Sequence, residues 1–232
     1  MVVKIKRQAS PVSEPYWESF NYEGPEENTV AGVLDSLNYR DDIFDIDGNE
    51  SRRISWECSC MQGLCGGCAM VINGRPGLAC STMLSELKKR KKLGKKDFEL
   101  VLEPLTKFDV ISDLVVDRSM IFERLREAGI VLDRYKESSP KEYEHQYLVA
   151  KCLKCGLCLE VCPNYVKGDK FFGAPMANDC YLVTSKSGDD TEEIKKSYGK
   201  HFAAGCSKSL SCMSVCPMNI PTLSSIAKMN RL

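Results

Sequence analysis

Along the first hundred residues, apolar and polar positions alternate in short runs. Val3 and Ile5 alternate with Lys4 and Lys6, so residues 2–8 are predicted as a strand, with 16–22 as its partner. Val30, Val33, Leu34 and Leu37 fall on one helical face, and Thr29 before them is a candidate N-cap. Residues 53–58 and 69–72 read as short strands, and Asn73-Gly74 as a turn. Residues 98–102 alternate again before Pro104. From about residue 106 the period lengthens to that of a helix. Asp113 opens a segment in which Leu114, Val115, Ile121, Phe122 and Leu125 recur near helical spacing, and Gly129 ends it. Further helices are expected at 143–150, 175–184 and 211–215, with a last one at 222–230 behind Pro221. Residues 186–193 read as a polar loop. The expected class is α+β, with a small sheet-and-helix domain at 1–105 and an all-α domain at 106–232.

Composition narrows the function. A length of 232 residues accommodates two domains, and 43% hydrophobic residues suffice for real cores. The formal charges cancel, which argues against nucleic acid as a partner, since such binders carry a basic surplus. The basic run Lys88, Lys89, Arg90, Lys91, Lys92, Lys95 and Lys96 is read as a solvated loop between helix and strand; the alternative is a docking or anionic-lipid patch. The N-terminus alternates like a strand and carries no apolar signal region, so no signal peptide is expected. No stretch of eighteen apolar residues exists, so any membrane link is expected to run through a partner.

The chemistry lies in thirteen cysteines. A disulfide scaffold is disfavoured by chain size, by the odd count, and by thiols spaced to aim at common points. Free thiolates for iron imply a reducing cytoplasm. Cys60, Cys65 and Cys68, closed by Cys80, show the C-x4-C-x2-C…C register of a [2Fe–2S] centre. Zinc ribbons, the alternative, prefer pairs of C-x2-C knuckles. Gly63, Gly66 and Gly67 interleave these thiols, where a tight loop needs little bulk and access to positive φ. Cys58 would share a strand face with Cys60 and is read as a packed thiol.

Cys152, Cys155, Cys158 and Cys162-Pro163 form the bacterial ferredoxin run, in which three cysteines hold one cluster and the fourth holds the other. The answering run is Cys206, Ser209, Cys212 and Cys216-Pro217, with serine where the middle cysteine belongs. That substitution sorts the ligands. Cys152, Cys155, Cys158 and Cys216 are four thiolates, fit for [4Fe–4S]. Cys162, Cys206 and Cys212 are three, which predicts [3Fe–4S]; ligation of a fourth iron by Ser209 is the alternative. Cys180 is expected to be buried as a small apolar residue. There is no dinucleotide fingerprint, no phosphate loop and no Ser–His–Asp arrangement, so no catalytic residue is expected. His145 and His201 are read as structural. The chain is expected to carry electrons and leave substrate chemistry to another subunit.

These residues carry a resemblance. The four or five strands with one helix across them are similar to the β-grasp fold of plant-type ferredoxins, and the second half is similar to bacterial ferredoxins. Together the stretches CMQGLCGGCAMVING at 60–74, Leu78-Ala79-Cys80, FDVISDLVVD at 108–117, CLKCGLCLEVCP at 152–163, Cys216-Pro217, Ile220-Pro221 and Ser225-Ile226-Ala227 resemble the iron–sulfur subunit of succinate dehydrogenase and fumarate reductase over nearly the whole chain. The resemblance implies a flavoprotein partner with covalent FAD, which interconverts succinate and fumarate. It implies a relay through [2Fe–2S], [4Fe–4S] and [3Fe–4S] to a quinone at a membrane anchor, and a peripheral place on the cytoplasmic face of the cell membrane. Many ubiquinone-linked members carry tryptophans after the first Cys-Pro and a histidine after the next cysteine. Here Pro163-Asn164-Tyr165-Val166-Lys167 and Ser207 stand there instead. The sequence looks more like menaquinone-linked members of Gram-positive type, whose anchor is a single cytochrome b subunit carrying haem b. Two other readings are weighed: a soluble FAD-dependent fumarate reductase with a thiol or other non-quinone donor, expected to carry a further cysteine-rich domain, and a redox-sensing module.

Overall fold

The computed structural model describes residues 1–90, 98–132, 134–187 and 191–231. They form two compact units, Met1–Asp117 and Arg118–Leu232. No described helix is long and apolar enough to cross a membrane.

The first unit is built on a five-stranded sheet of order β2-β1-β7-β5-β6. Strands β1 (Val2–Arg7) and β2 (Tyr16–Asn21) are antiparallel, as their alternation predicts. Helix α1 (Val30–Asn38) starts where the threonine cap requires: the Thr29 hydroxyl accepts the Gly32 N–H at 3.1 Å. It buries Val30, Val33, Leu34 and Leu37 completely. A small hairpin follows, β3 (Ile43–Phe44) with β4 (Glu50–Ser51). Strands β5 (Ala69–Ile72) and β6 (Arg75–Leu78) are joined by Asn73 and Gly74, both with positive φ, as a two-residue hairpin turn demands. A 3-10 turn (Ala79–Ser81) and α2 (Leu84–Arg90) lead on, and β7 (Glu99–Glu103) runs parallel to β1. Val3, Ile5, Phe20, Leu100 and Leu102 have no exposure, and burying each side chain of this kind contributes about 1.5–3 kcal/mol.

Two expectations for this unit are corrected. Residues 53–58 form no strand. Their backbone groups are taken by side chains instead: Arg7 donates to the carbonyls of Arg52 and Arg53, Asn38 binds both the N–H and the carbonyl of Ile54, and Asp113 accepts the Ser55 N–H. Nor does a helix start at Asp113. Strands β8 (Asp109–Ser112) and β9 (Val115–Asp117) form a hairpin there, and Asp113 turns the corner at φ 46. Leu114 and Val116 are buried and Val115 between them is half-buried, a strand's alternation that an unbroken apolar run does not reveal. Residues 106–117, counted with the second half on sequence, lie in the first unit.

The second unit is helical: α3 (Ser119–Glu127), α4 (Pro140–Ala150), α5 (Leu157–Glu160), α6 (Ala174–Lys186), α7 (Glu192–Tyr198) passing into a π-helical turn (Gly199–Ala203), α8 (Ser211–Ser214) and α9 (Thr222–Met229). Helix α6 is the centre. Residues Ala174 to Tyr181 are buried on every side, and α4, α7 and α9 pack against it. The short helices α5 and α8 pack on each other. Helix α7 takes up Glu192 and Glu193 from the expected polar loop, while its residues 188–190 lie outside the described residues. Of the basic run expected as a loop, Lys88, Lys89 and Arg90 belong to α2, and Lys88 pairs with Glu26 at 2.5 Å; Lys91, Lys92, Lys95 and Lys96 lie outside the described residues.

Candidate functional site

None of the thirteen cysteines is in a disulfide. In the first unit the loop from Cys60 to Cys68 curls through positive φ at Met61, Gly63 and Gly66. Those turns point amides at sulfur. The N–H groups of Gln62 and Leu64 reach Cys60 Sγ at 3.4 and 3.3 Å, Gly63 N–H reaches Cys80 Sγ at 3.2 Å, and Gly67 N–H reaches Cys65 Sγ at 3.5 Å. The distant Cys80 arrives by hairpin geometry. Register Ala69↔Leu78 brings the two open ends of β5 and β6 together, and Cys68 and Cys80 Sγ lie 3.3 Å apart. The amides of Gln62 and Leu64 draw the pKa of the Cys60 thiol down to about 7, while burial pushes that of Cys68 up to about 12. Cys58 is exposed, not packed, because the segment leading to it is no strand.

In the second unit the two cysteine runs repeat each other in backbone as well as in sequence. Lys154 and Gly156 have positive φ, followed by α5; Lys208 and Leu210 have positive φ, followed by α8. Gly156 takes that conformation freely, whereas Leu210 carries the strain of a β-carbon in it. Because α5 packs on α8, each run's last cysteine crosses to the other. One cavity, about 350 Å³ of atom-free space, is lined by Cys152, Cys155, Cys158 and Cys216. A second, about 400 Å³, is lined by Cys162, Cys206 and Cys212, with Ser209 and Leu210 beside them.

The donor chemistry of these walls fits iron–sulfur centres. Burial pushes Cys155 up to about 11, Cys158 well above the thiol range, and Cys152 and Cys212 upward. Several buried thiols in one wall do not ionise together without cations between them. Iron supplies that charge, and the amides around Cys60 and Cys80 favour the anionic sulfur it needs. Among the described residues no three Cys, His, Asp or Glu side chains converge tightly enough to hold a single ion; the sulfurs ring cavities instead.

Other residues fall where expected or were missed. Cys180 is fully buried in α6, and burial pushes its thiol to about 12. His201 donates its Nδ1–H to Lys170 O at 2.9 Å and stacks on Phe172; His145 meets Ser225 Oγ at 3.2 Å and sits edge-on to Tyr181. Sequence reasoning missed two charge pairs. Asp113, with no exposure, binds Arg7 at 3.1 Å and also Arg52, and so pins the segment that leads to Cys60. Lys154 meets Asp179 on α6 at 2.6 and 2.5 Å. Burial opposes the Lys154 charge, but Asp179 and the neighbouring sulfurs hold its ammonium above the usual lysine value. A lysine within a cysteine run and a lone aspartate on a buried helix were the available signals.

The family described as "2Fe-2S iron-sulfur cluster binding domain" matches residues 2–123, and that described as "4Fe-4S dicluster domain" matches 148–220. The chain is 31% identical to the succinate dehydrogenase iron–sulfur subunit of Bacillus subtilis, covering 98% of this chain and 90% of the relative. It is 28% identical to the fumarate reductase iron–sulfur subunit of Wolinella succinogenes, covering 96% and 91%. A chain of the Mycobacterium smegmatis Sdh1 complex in the apo form shares the fold, with a TM-score of 0.72 at 20% identity, covering 99% of this chain and 93% of that one. The chain belongs to the family of iron–sulfur subunits of succinate dehydrogenase and fumarate reductase, electron-transfer subunits of an oxidoreductase complex with 2Fe–2S and 4Fe–4S domains.

Proposed function

We propose that this chain relays electrons between the FAD of a flavoprotein subunit and a quinone, menaquinone, at a cytochrome b membrane anchor. The first unit is read as a plant-type β-grasp ferredoxin domain whose Cys60, Cys65, Cys68 and Cys80 hold [2Fe–2S]. The second is read as an all-α bacterial-type ferredoxin domain whose Cys152, Cys155, Cys158 and Cys216 hold [4Fe–4S], and Cys162, Cys206 and Cys212 hold [3Fe–4S]. These centres supply one-electron carriers. The protein's own residues fix their sulfur ligands and, around Cys60, Cys65 and Cys80, aim amides at those sulfurs. The chain is placed peripherally at the cytoplasmic face of the membrane, held there by the anchor.

One observation carries the reading. The seven cysteines of the two runs divide between two cavities as four and three, across the runs rather than along them. That division is what one serine in an otherwise paired ferredoxin register calls for. The test is the assembled complex, purified without oxygen and titrated with succinate. Reduction of the centres, followed by their reoxidation on adding a menaquinone analogue, is expected. Centres that succinate leaves oxidised, or that only a soluble thiol donor reduces, contradict it.

A further inference from the structure

Lys154 lies in the wall of the cavity ringed by Cys152, Cys155, Cys158 and Cys216. Its backbone is left-handed, φ 53, a conformation strained for a residue with a β-carbon. The turn takes the ammonium out of water: its side chain is 17% exposed. There it meets both carboxylate oxygens of Asp179, whose own side chain is 13% exposed. Asp179 sits on α6 and is not among the residues that line the cavity. Of the two partners, the lysine is the one that belongs to the wall around these cysteines. The matching position in the second run is Lys208, also left-handed at φ 56, but exposed. A cation in water is screened; one clamped in a low-dielectric wall is not.

We propose that Lys154 and Asp179 are a positioning pair that sets the reduction potential of the centre held by Cys152, Cys155, Cys158 and Cys216. The inference rests on that ligand assignment. The desolvated ammonium favours the electron-rich state of the centre and raises its potential. The carboxylate holds the ammonium in place and moderates its field. A pair that merely tied the loop to α6 would respond alike to loss of either partner. A tuning pair responds with opposite signs.

The experiment is an EPR-monitored potentiometric titration of the four-iron centre in the assembled complex, comparing wild type with Lys154→Met, Lys154→Arg and Asp179→Asn. Lys154→Met is expected to make reduction about tenfold less favourable or worse, a fall of about 59 mV for one electron. Asp179→Asn, which leaves the ammonium unopposed, is expected to shift the potential upward, and Lys154→Arg to stay near wild type. Shifts of the same sign in the two charge-removing variants, or no shift beyond about twofold in either, overturn the inference while the ligand assignment stands. If Lys154→Met fails to retain the centre, the direction in Asp179→Asn decides: upward supports the proposal, unchanged or downward overturns it. A wild-type complex without a four-iron signal overturns the ligand assignment, and this inference with it.

Discussion

Replacing Asp113 with asparagine is expected to destabilise the first unit by about 3 kcal/mol, at the lower end of the 3–5 kcal/mol seen when one partner of a buried ion pair is removed. The structure sets that figure. Arg7 and Asp113 are both fully buried and lie 3.1 Å apart. Losing the carboxylate charge leaves the guanidinium with Glu18 at 2.5 Å, a partner that is 12% exposed and offsets part of the loss. The carboxylate also accepts the N–H groups of Gln8 and Ser55, each at 2.9 Å, so an amide NH2 placed among those donors costs more. Arg52, partly exposed, returns to water at little cost. Urea unfolding followed by tryptophan fluorescence reads this directly, since Trp17 and Trp56 both lie in this unit, Trp56 next to Ser55. The paired variant Arg7→Met with Asp113→Leu removes both charges and is expected to recover more than half of the loss. A loss under about 1 kcal/mol for Asp113→Asn, or a paired variant as unstable as the sum of its singles, refutes the reasoning.

Three further outcomes are expected. Burial, and then the nearby Lys228, lowers the His145 pKa below its ordinary 6.5. A depressed histidine contributes stability above its unfolded pKa that is lost as pH falls through the folded one, so thermal stability should drop as pH falls below the ordinary histidine value and His145→Gln should flatten that slope; an unchanged slope contradicts it. At Gly63, φ is +73 and a β-carbon would stand 2.7 Å from Ser81 Oγ, so Gly63→Ala should cost about 1 kcal/mol or more. It should also displace the N–H that reaches Cys80 Sγ and lower the [2Fe–2S] potential in a redox titration, and a potential at or above wild type speaks against that amide's role. Ser209→Cys completes the second ligand set and should raise iron from roughly nine to roughly ten atoms per chain, with loss of the oxidised three-iron EPR signal; a persisting signal at unchanged iron argues against the register.

Local chemistry explains which features could be read from the sequence. Thr29 as a cap and Asn73-Gly74 as a turn act within a few residues, and both are in place. The cysteine register is also local, and it groups the sulfurs as the cavities do. What failed depended on distant partners. Residues 53–58 look like a strand because their side chains suit one, yet their backbone bonds go to Arg7, Asn38 and Asp113. Leu114, Val115 and Ile121 are spaced as a helix, but a hairpin corner at Asp113 divides them. The partnership of Lys154 with Asp179, 25 residues on, has no local signature either. Pairing across such separations is decided by tertiary packing, which periodicity does not register.

The crossing of ligands between the two ferredoxin runs is the point on which the account turns. Low-temperature EPR of Cys216→Ser, read in both the reduced and the oxidised state, tests it in one sample. The account predicts that the four-iron signal is lost or altered while the three-iron signal persists. Loss of the three-iron signal with an intact four-iron centre contradicts it.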